Sequence, residues 1–190
     1  AGTSGNTAAV TPFGIFTEDV WNTSSSLKHN PYSYSKTEAE KEAWKIAKTQ
    51  QQWDLVTINP SLVMGPGLNP KGTSESLNLV RRIGNGTMKA GALDWRFGVV
   101  DVRDAAQAHI AAAYTPEAKG RYIISGHNTS FPEIAKFLLP RFGGTYPIPR
   151  KTLSTRLIWL IGPVMDSGLT RKFISKNIGR PWIGDNLKSV

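Results

Sequence analysis

Short β-branched or apolar runs alternate along the chain with longer segments of helical period. Tyr32 to Gln51, introduced by Pro31, carries Ala39, Ala43, Trp44, Ile46 and Ala47 as an apolar stripe and predicts a long helix. Trp53 to Ile58 is β-branched with little alternation, as a buried parallel strand is, and Asn59-Pro60 is expected to stop it. Gly and Pro crowd residues 65–72. Ser74 to Ile83 then reads as a second helix, Phe97 to Val102 as a short strand, Arg103 to Tyr114 as a helix and Arg121 to Ser125 as another strand. Thr129 or Ser130 caps a helix through Phe137, with Glu133 three residues after Ser130 completing a capping box. The run Leu157 to Met165 is strongly apolar and predicts a helix packed on the sheet or closing a pocket. The first residues read as the end of a buried strand, Thr17 to Asn30 as an exposed excursion, and Asp185 to Val190 as the start of a helix.

Strands alternating with helices predict an α/β fold, a parallel sheet covered on both faces. A length of 190 residues, 39% apolar and 19% charged, is enough to bury a core and suggests one domain with a small appended lobe. The absence of cysteine excludes disulfides and thiolate metal sites, and His29, His109 and His127 show no zinc spacing, so no metal is expected. The formal charge of +9 is uneven. Residues 1–140 hold 14 Lys/Arg and 12 Asp/Glu, whereas residues 141–190 hold 9 and 2. Such a tail could attract phosphates, nucleic acid or an anionic surface, but a solvated basic face is the simpler reading, and without a nucleic-acid module no specific nucleic-acid partner is expected. No apolar run approaches the roughly 20 residues that cross a bilayer. The first residues lack a basic stretch leading into a hydrophobic one, so no transmembrane segment and a cytoplasmic location are expected.

The candidate chemistry begins with Tyr32 and Lys36, whose spacing places both on one helix face. A phenol needs a shift of about 3 units, roughly 4 kcal/mol, to act near neutrality, and a neighbouring ammonium can supply much of it. Chance alone gives this spacing in about one such chain in three, so its weight comes from its surroundings. Tyr34 is the poorer candidate because Glu38 follows it at the same spacing, and a carboxylate raises a phenol pKa. Gly65 to Thr73 fails as a phosphate cradle: Lys71 precedes Gly72, whereas a P-loop needs Gly-Lys-Ser/Thr. Pro60-Ser61-Leu62-Val63 is a different case, because a strand stopped by Pro leaves amides and carbonyls free at the carboxyl edge of a parallel sheet, where ligands bind. Asp101 and Asp104 could orient that region, Asp104 equally being a helix N-terminal charge.

Four segments occur in order over the first 125 residues: Gly2 to Val10, Asn30 to Lys41, Trp53 to Pro66, and Val100 to His109 with Gly120 to Ser125. Together they resemble the extended short-chain dehydrogenase/reductase family, within the NAD-dependent epimerase/dehydratase superfamily, on its dihydroflavonol reductase and aldehyde reductase branch. The resemblance implies that residues 1–125 are the second half of a Rossmann-type doubly wound parallel sheet, with a substrate-pocket insertion at about 65–96, and that 126–190 are a truncated C-terminal substrate lobe. It implies a catalytic set of Ser4, Tyr32 and Lys36, with Thr3 competing for the first place. Ser4 would hydrogen-bond the substrate oxygen, Tyr32 would donate a proton as hydride arrives at carbon, and Lys36 would lower the Tyr32 pKa and hold the ribose hydroxyls. Tyr32, Lys36, Pro60, Ser61, Leu62 and Val63 would contact NADP or NAD, with NADP favoured. The implied substrate is a small-molecule aldehyde or ketone rather than a flavonoid, since Ala9 stands where flavonoid reductases often carry Asn. Phe13, Met64 and the Leu77 to Arg81 helix are then pocket walls, and the helix bearing Tyr32 allows a homodimer.

No glycine-rich dinucleotide fingerprint occurs, so the polypeptide is expected to be part of a longer enzyme and to lack turnover by itself. Three functions remain open: carbonyl reduction, nucleotide-sugar epimerisation or dehydration, and non-enzymatic NAD(P) sensing. The joint presence of Ser4, Tyr32 and Lys36 argues against the last, because a sensor does not need all three.

Overall fold

The computed structural model describes residues 15–67, 69, 72–165, 169–184 and 188. In chain order these form β1 (Ile15–Phe16), α1 (Pro31–Ala47), β2 (Val56–Pro60), β3 (Leu62–Met64), α2 (Glu75–Gly84), β4 (Arg96–Asp101), α3 (Val102–Tyr114), β5 (Gly120–Ile124), β6 (His127–Ser130), α4 (Phe131–Phe142), α5 (Thr155–Met165), α6 (Arg171–Asn177) and β7 (Ile183–Gly184). β2 runs parallel to β5 with Thr57 opposite Arg121, β3 parallel to β4 with Leu62 opposite Val99, and β1 parallel to β7. Parallel strands joined through helices, with α3 packed on β2 and β3, make this an α/β fold carrying part of a Rossmann-type doubly wound sheet. No helix among the described residues is long and apolar enough to cross a membrane.

The described residues fall into two units. The first lies within 1–65, 98–127 and 182–190, the second within 66–97 and 128–181. In the first, Phe16 stacks on Trp182 with ring centroids 5.6 Å apart, and both pack with Ile123. In the second, Ile83, Ala92, Phe131, Ala135 and Ile148 form one core and Ile158, Ile174 and Ile178 another. Trp95 meets the rings of Phe97, Phe131 and Phe173 edge-on there.

Several expectations require correction. α1 ends at Ala47 rather than Gln51, where the Gln50 side chain takes over by accepting from the amides of Gln52 and Trp53. The expected apolar stripe is only partly turned inward: Ala43, Trp44 and Ala47 are half-buried. Ala39 is exposed and Ile46 is 53% exposed, whereas Ser33 and Thr37 are buried. The buried polar stripe is stable because its groups are partnered: the Thr37 hydroxyl donates to the Ser33 carbonyl at 2.8 Å, and Glu40, one turn on, pairs with Arg121. β2 does not stop before Asn59-Pro60. Pro60 takes the final strand position opposite Ile124, and the next amide, Ser61 N, continues the bonding to the Ile124 carbonyl at 2.9 Å.

The excursion from Thr17 to Asn30 is not wholly exposed: Asn22 is buried, and its Oδ1 accepts from the amides of Ser24 and Ser25. α4 is capped by Ser130, which accepts from Glu133 N, and it continues through Pro140 to Phe142 instead of ending at Phe137. α5 packs on α6, Ile158 meeting Ile174 and Ile178. The expected strand at the first residues and the helix starting at Asp185 fall outside the described residues, except for Lys188, whose Nζ donates to the carbonyls of Lys119 and Arg121.

Candidate active site

Asn30 begins the site-bearing helix. It adopts a left-handed conformation, φ 55°, which a short polar side chain tolerates, and its Oδ1 accepts from Ser33 N at 3.3 Å. Pro31 fills the first helical position, where the missing N–H costs nothing. Tyr32 therefore sits in the first turn, 64% exposed, with Lys36 directly one turn behind it. The Lys36 ammonium lies 5.7 Å from the centre of the Tyr32 ring. No carboxylate pairs with Lys36 among the described residues.

The level of this pair relative to the sheet follows from one cluster. Glu40 Oε1 accepts from Thr57 Oγ1 at 3.0 Å and from Arg121 Nε at 2.6 Å, so α1 crosses the second residues of β2 and β5 at Glu40. Helix and strand run in opposite directions through the connection 48–55. From Glu40 back to Tyr32 the helix climbs about 12 Å, and from Thr57 on to Ser61 the strand climbs about 13 Å. Tyr32 and Ser61 are thus at the same edge, beyond the carboxyl ends of the parallel strands, where open α/β sheets bind ligands.

At that edge the backbone is less available than expected. The Ser61 amide is bonded to Ile124, and Leu62 and Val63 are paired with Val99 and Val100 in β3. What the edge offers is the Ser61 hydroxyl, whose Oγ is buried and has no hydrogen-bond partner. A buried hydroxyl without a partner is costly and fits a site that receives a polar ligand group. A few residues on, Gly65 turns the chain at φ 144°, and a Cβ there would stand 2.7 Å from Val102 Cγ1. Asp101, opposite Met64 at the end of β4, caps α3, accepting from Arg103 N at 2.8 Å, and pairs with the Arg103 guanidinium at 2.7 Å. Those bonds hold its carboxyl at about 2.

The structure brings Tyr32 and Lys36 together, ends β2 at Pro60 and places Leu62 and Val63 in β3, and the rise of helix and strand from the Glu40–Thr57 contact puts Tyr32 level with Ser61. Ser4, its competitor Thr3 and Phe13 lie outside the described residues. Met64 closes β3, while Leu77 to Arg81 belong to the second unit, where Val80 and Arg81 border a cavity of about 330 Å³ with Leu138, Phe142 and Tyr146. The residues that sequence reasoning missed are Glu40, Thr57 and Arg121. Burial pushes the Glu40 carboxyl up, but the Arg121 hydrogen bond and charge, with the hydrogen bond from Thr57, prevail and hold it below its ordinary value. Arg121 also donates to the carbonyls of Glu18 and Val20 and stacks on Trp21 at 4.0 Å, fixing the segment ahead of α1. The only signal was a Glu one turn after Lys36, in a helix whose charges otherwise read as solvated.

Residues 1–125 match the model of the NAD dependent epimerase/dehydratase family. The chain is 38% identical over 121 residues to tetraketide alpha-pyrone reductase 2 of Arabidopsis thaliana, covering 63% of this chain and 36% of the relative. It is 36% identical over 142 residues to cinnamoyl-CoA reductase 1 of the same plant, covering 74% and 40%. The chain thus spans about two fifths of the length of these curated relatives. Among solved structures, Gre2 of Candida albicans in complex with NADPH superposes with a TM-score of 0.61 at 24% identity, over 92% of this chain and 50% of that one, a likeness of fold.

Proposed function

Since the chain belongs to the NAD dependent epimerase/dehydratase family, we propose that it forms the proton-transfer half of an NAD(P)H-dependent reductase acting on a small-molecule aldehyde or ketone. The observation that carries this reading is the Tyr32–Lys36 pair, 5.7 Å from ammonium to ring centre, at the sheet edge that also holds the unpartnered Ser61 hydroxyl. The cofactor supplies hydride to the carbonyl carbon. Tyr32 gives its phenolic proton to the carbonyl oxygen, so that the product is the alcohol, and Lys36 offsets the negative charge left on the phenol oxygen. Ser4 accompanies Tyr32 as a hydrogen-bond donor to the same oxygen. Lys36 and Tyr32 would also hold the ribose, and Pro60 to Val63 would hold the carboxamide, with the Ser61 hydroxyl, buried without a partner, as donor or acceptor.

That both of these plant relatives are named reductases supports reduction over epimerisation. NADP is the favoured cofactor, and the exposed side of α1, with Ala39 and Ile46, is the proposed homodimer face. The test is Tyr32→Phe in the full-length protein, assayed by NADPH oxidation against a panel of aldehydes and ketones. A loss in kcat of about 10²- to 10⁴-fold with cofactor affinity retained is expected; turnover equal to wild type would remove Tyr32 from the mechanism.

A further inference from the structure

α2 ends on a glycine that its own backbone and packing do not require. Gly84 is the last helical residue, it is not among the glycines of positive φ, and a Cβ on it would meet nothing within 4 Å. Such a glycine costs helix stability against alanine. What it leaves is space. With Arg81 and Asn85 on the same face of α2 it walls a cavity of about 330 Å³, whose further walls include Leu138 and Phe142 of α4 and Tyr146 beyond it. That volume suits a small molecule and is too small for a partner's helix. Every residue bordering the cavity belongs to the second unit, and none comes from the Tyr32 edge.

The walls describe the occupant. Phe142 and Tyr146 meet edge-on with ring centroids 6.3 Å apart, and at 37% and 52% exposed they form an aromatic corner left open. A flat ring system packed there would cover both. The polar groups beside that corner are donors. Arg81 pairs with no carboxylate among the described residues; its Nη1 donates to Asn78 Oδ1 at 2.6 Å, and its Nε and Nη2 make no hydrogen bond with them. Asn85 Oδ1 already accepts from Thr87 N at 3.0 Å and from Thr87 Oγ1 at 2.6 Å, which leaves Nδ2 as the group it has to offer. An apolar corner with two donor groups beside it fits a ring that carries an anionic end. The surrounding charge agrees: residues 76–93 and 134–153, the stretches that build the cavity, hold seven Lys/Arg and no Asp/Glu. The acids at their ends, Glu75, Asp94 and Glu133, do not border it, and Asp94 is held by the Arg96 guanidinium at 3.1 Å.

We propose that this cavity is a binding site for a small aromatic carboxylate, with the ring system against Leu138, Phe142 and Tyr146 in the space left by Gly84, and the carboxylate on Arg81 and Asn85 Nδ2. The site is separate from the Tyr32 edge and stands whether or not the reductase reading holds.

The test is isothermal titration calorimetry of the purified protein with 2-naphthoate, 2-naphthylmethanol and 2-naphthylmethylammonium, which share their rings and differ in charge. Naphthoate is expected to bind, with the neutral alcohol about tenfold weaker and the ammonium weaker still. Arg81→Gln should weaken naphthoate about tenfold and leave the alcohol unchanged. Gly84→Leu puts a side chain into the cavity and should abolish the binding of both, with circular dichroism showing the fold retained. Should that variant unfold, Gly84→Ala takes its place and is expected to weaken naphthoate several-fold. Absence of naphthoate binding, equal affinity for naphthoate and the ammonium, or binding untouched by the Gly84 substitution overturns the proposal. So does a protein that ignores naphthoate but loses self-association in Gly84→Leu, since a second copy would then fill the cavity.

Discussion

Arg121 Nε lies 2.6 Å from Glu40 Oε1, with the two side chains only 9% and 10% exposed, and this pair fastens the helix that carries Tyr32 and Lys36 to the second residue of β5. The same guanidinium holds the carbonyls of Glu18 and Val20, so one side chain ties the segment before α1, α1 itself and the sheet. Removing one partner leaves the other charged and buried. Arg121→Met or Glu40→Leu alone is expected to cost about 3–5 kcal/mol, whereas the two together should recover much of that loss. Urea denaturation of the three variants in a double-mutant cycle checks it, and additive losses would show that the two side chains act separately.

The pair also sets an acid dependence. The Glu40 carboxyl is held below its ordinary 4.5 by Arg121 and Thr57 against the cost of burial. A carboxyl depressed on folding adds stability that is present above its unfolded value and is lost as pH falls through the folded one. The urea midpoint should therefore hold from neutrality to about the Glu40 ordinary value and decline below it. In Glu40→Gln the midpoint starts lower and the decline is shallower. Asp101, held at about 2 by Arg103, extends the decline to still lower pH, and because that pair is exposed its share should shrink with added salt.

Features that depend on neighbours a turn apart were legible in the sequence. Asn30-Pro31 starts α1, Ser74 accepts from Leu77 N at the head of α2, and Ser130 does the same for α4, since a cap needs only the residue and the amide three positions on. The Tyr32–Lys36 contact is of the same kind. What could not be read depended on partners far along the chain. Glu40 and Arg121 are 81 residues apart, so the buried polar side of α1 looked like a solvated one, and Ala39 and Ile46, which are exposed, looked like core. Pattern alone made α5 an apolar helix and left open which of its two apolar sides would find a partner.

Gly98 shows how tightly one such distant contact is built. It lies in β4, and a Cβ on it would collide with the Trp182 indole and approach Ser125 Oγ to 2.6 Å. Trp182 is 9% exposed and stacked on Phe16, so the ring has little room to retreat. Gly98→Ala should cost about 1–3 kcal/mol through overpacking, read as a lower thermal midpoint and a shift in tryptophan fluorescence. Trp182→Leu on the same background removes the obstructing ring and should recover part of the loss relative to Trp182→Leu alone. A Gly98→Ala protein as stable as wild type would mean that the ring moves freely.

Ser61 offers a test in which stability and binding move in opposite directions. Its Oγ is buried without a partner, so the ligand-free protein carries the cost of a desolvated hydroxyl, on the order of 1–3 kcal/mol. Ser61→Ala removes that cost together with the hydroxyl and should leave the ligand-free protein equal to wild type or more stable by up to about 1 kcal/mol. If the hydroxyl is a contact of the cofactor carboxamide, the same substitution in the full-length protein weakens NADPH binding several-fold, measured by calorimetry, while kcat at saturating cofactor changes little. Loss of stability with unchanged affinity would make Ser61 a structural residue and move the cofactor contact elsewhere along the edge formed by Pro60, Leu62 and Val63.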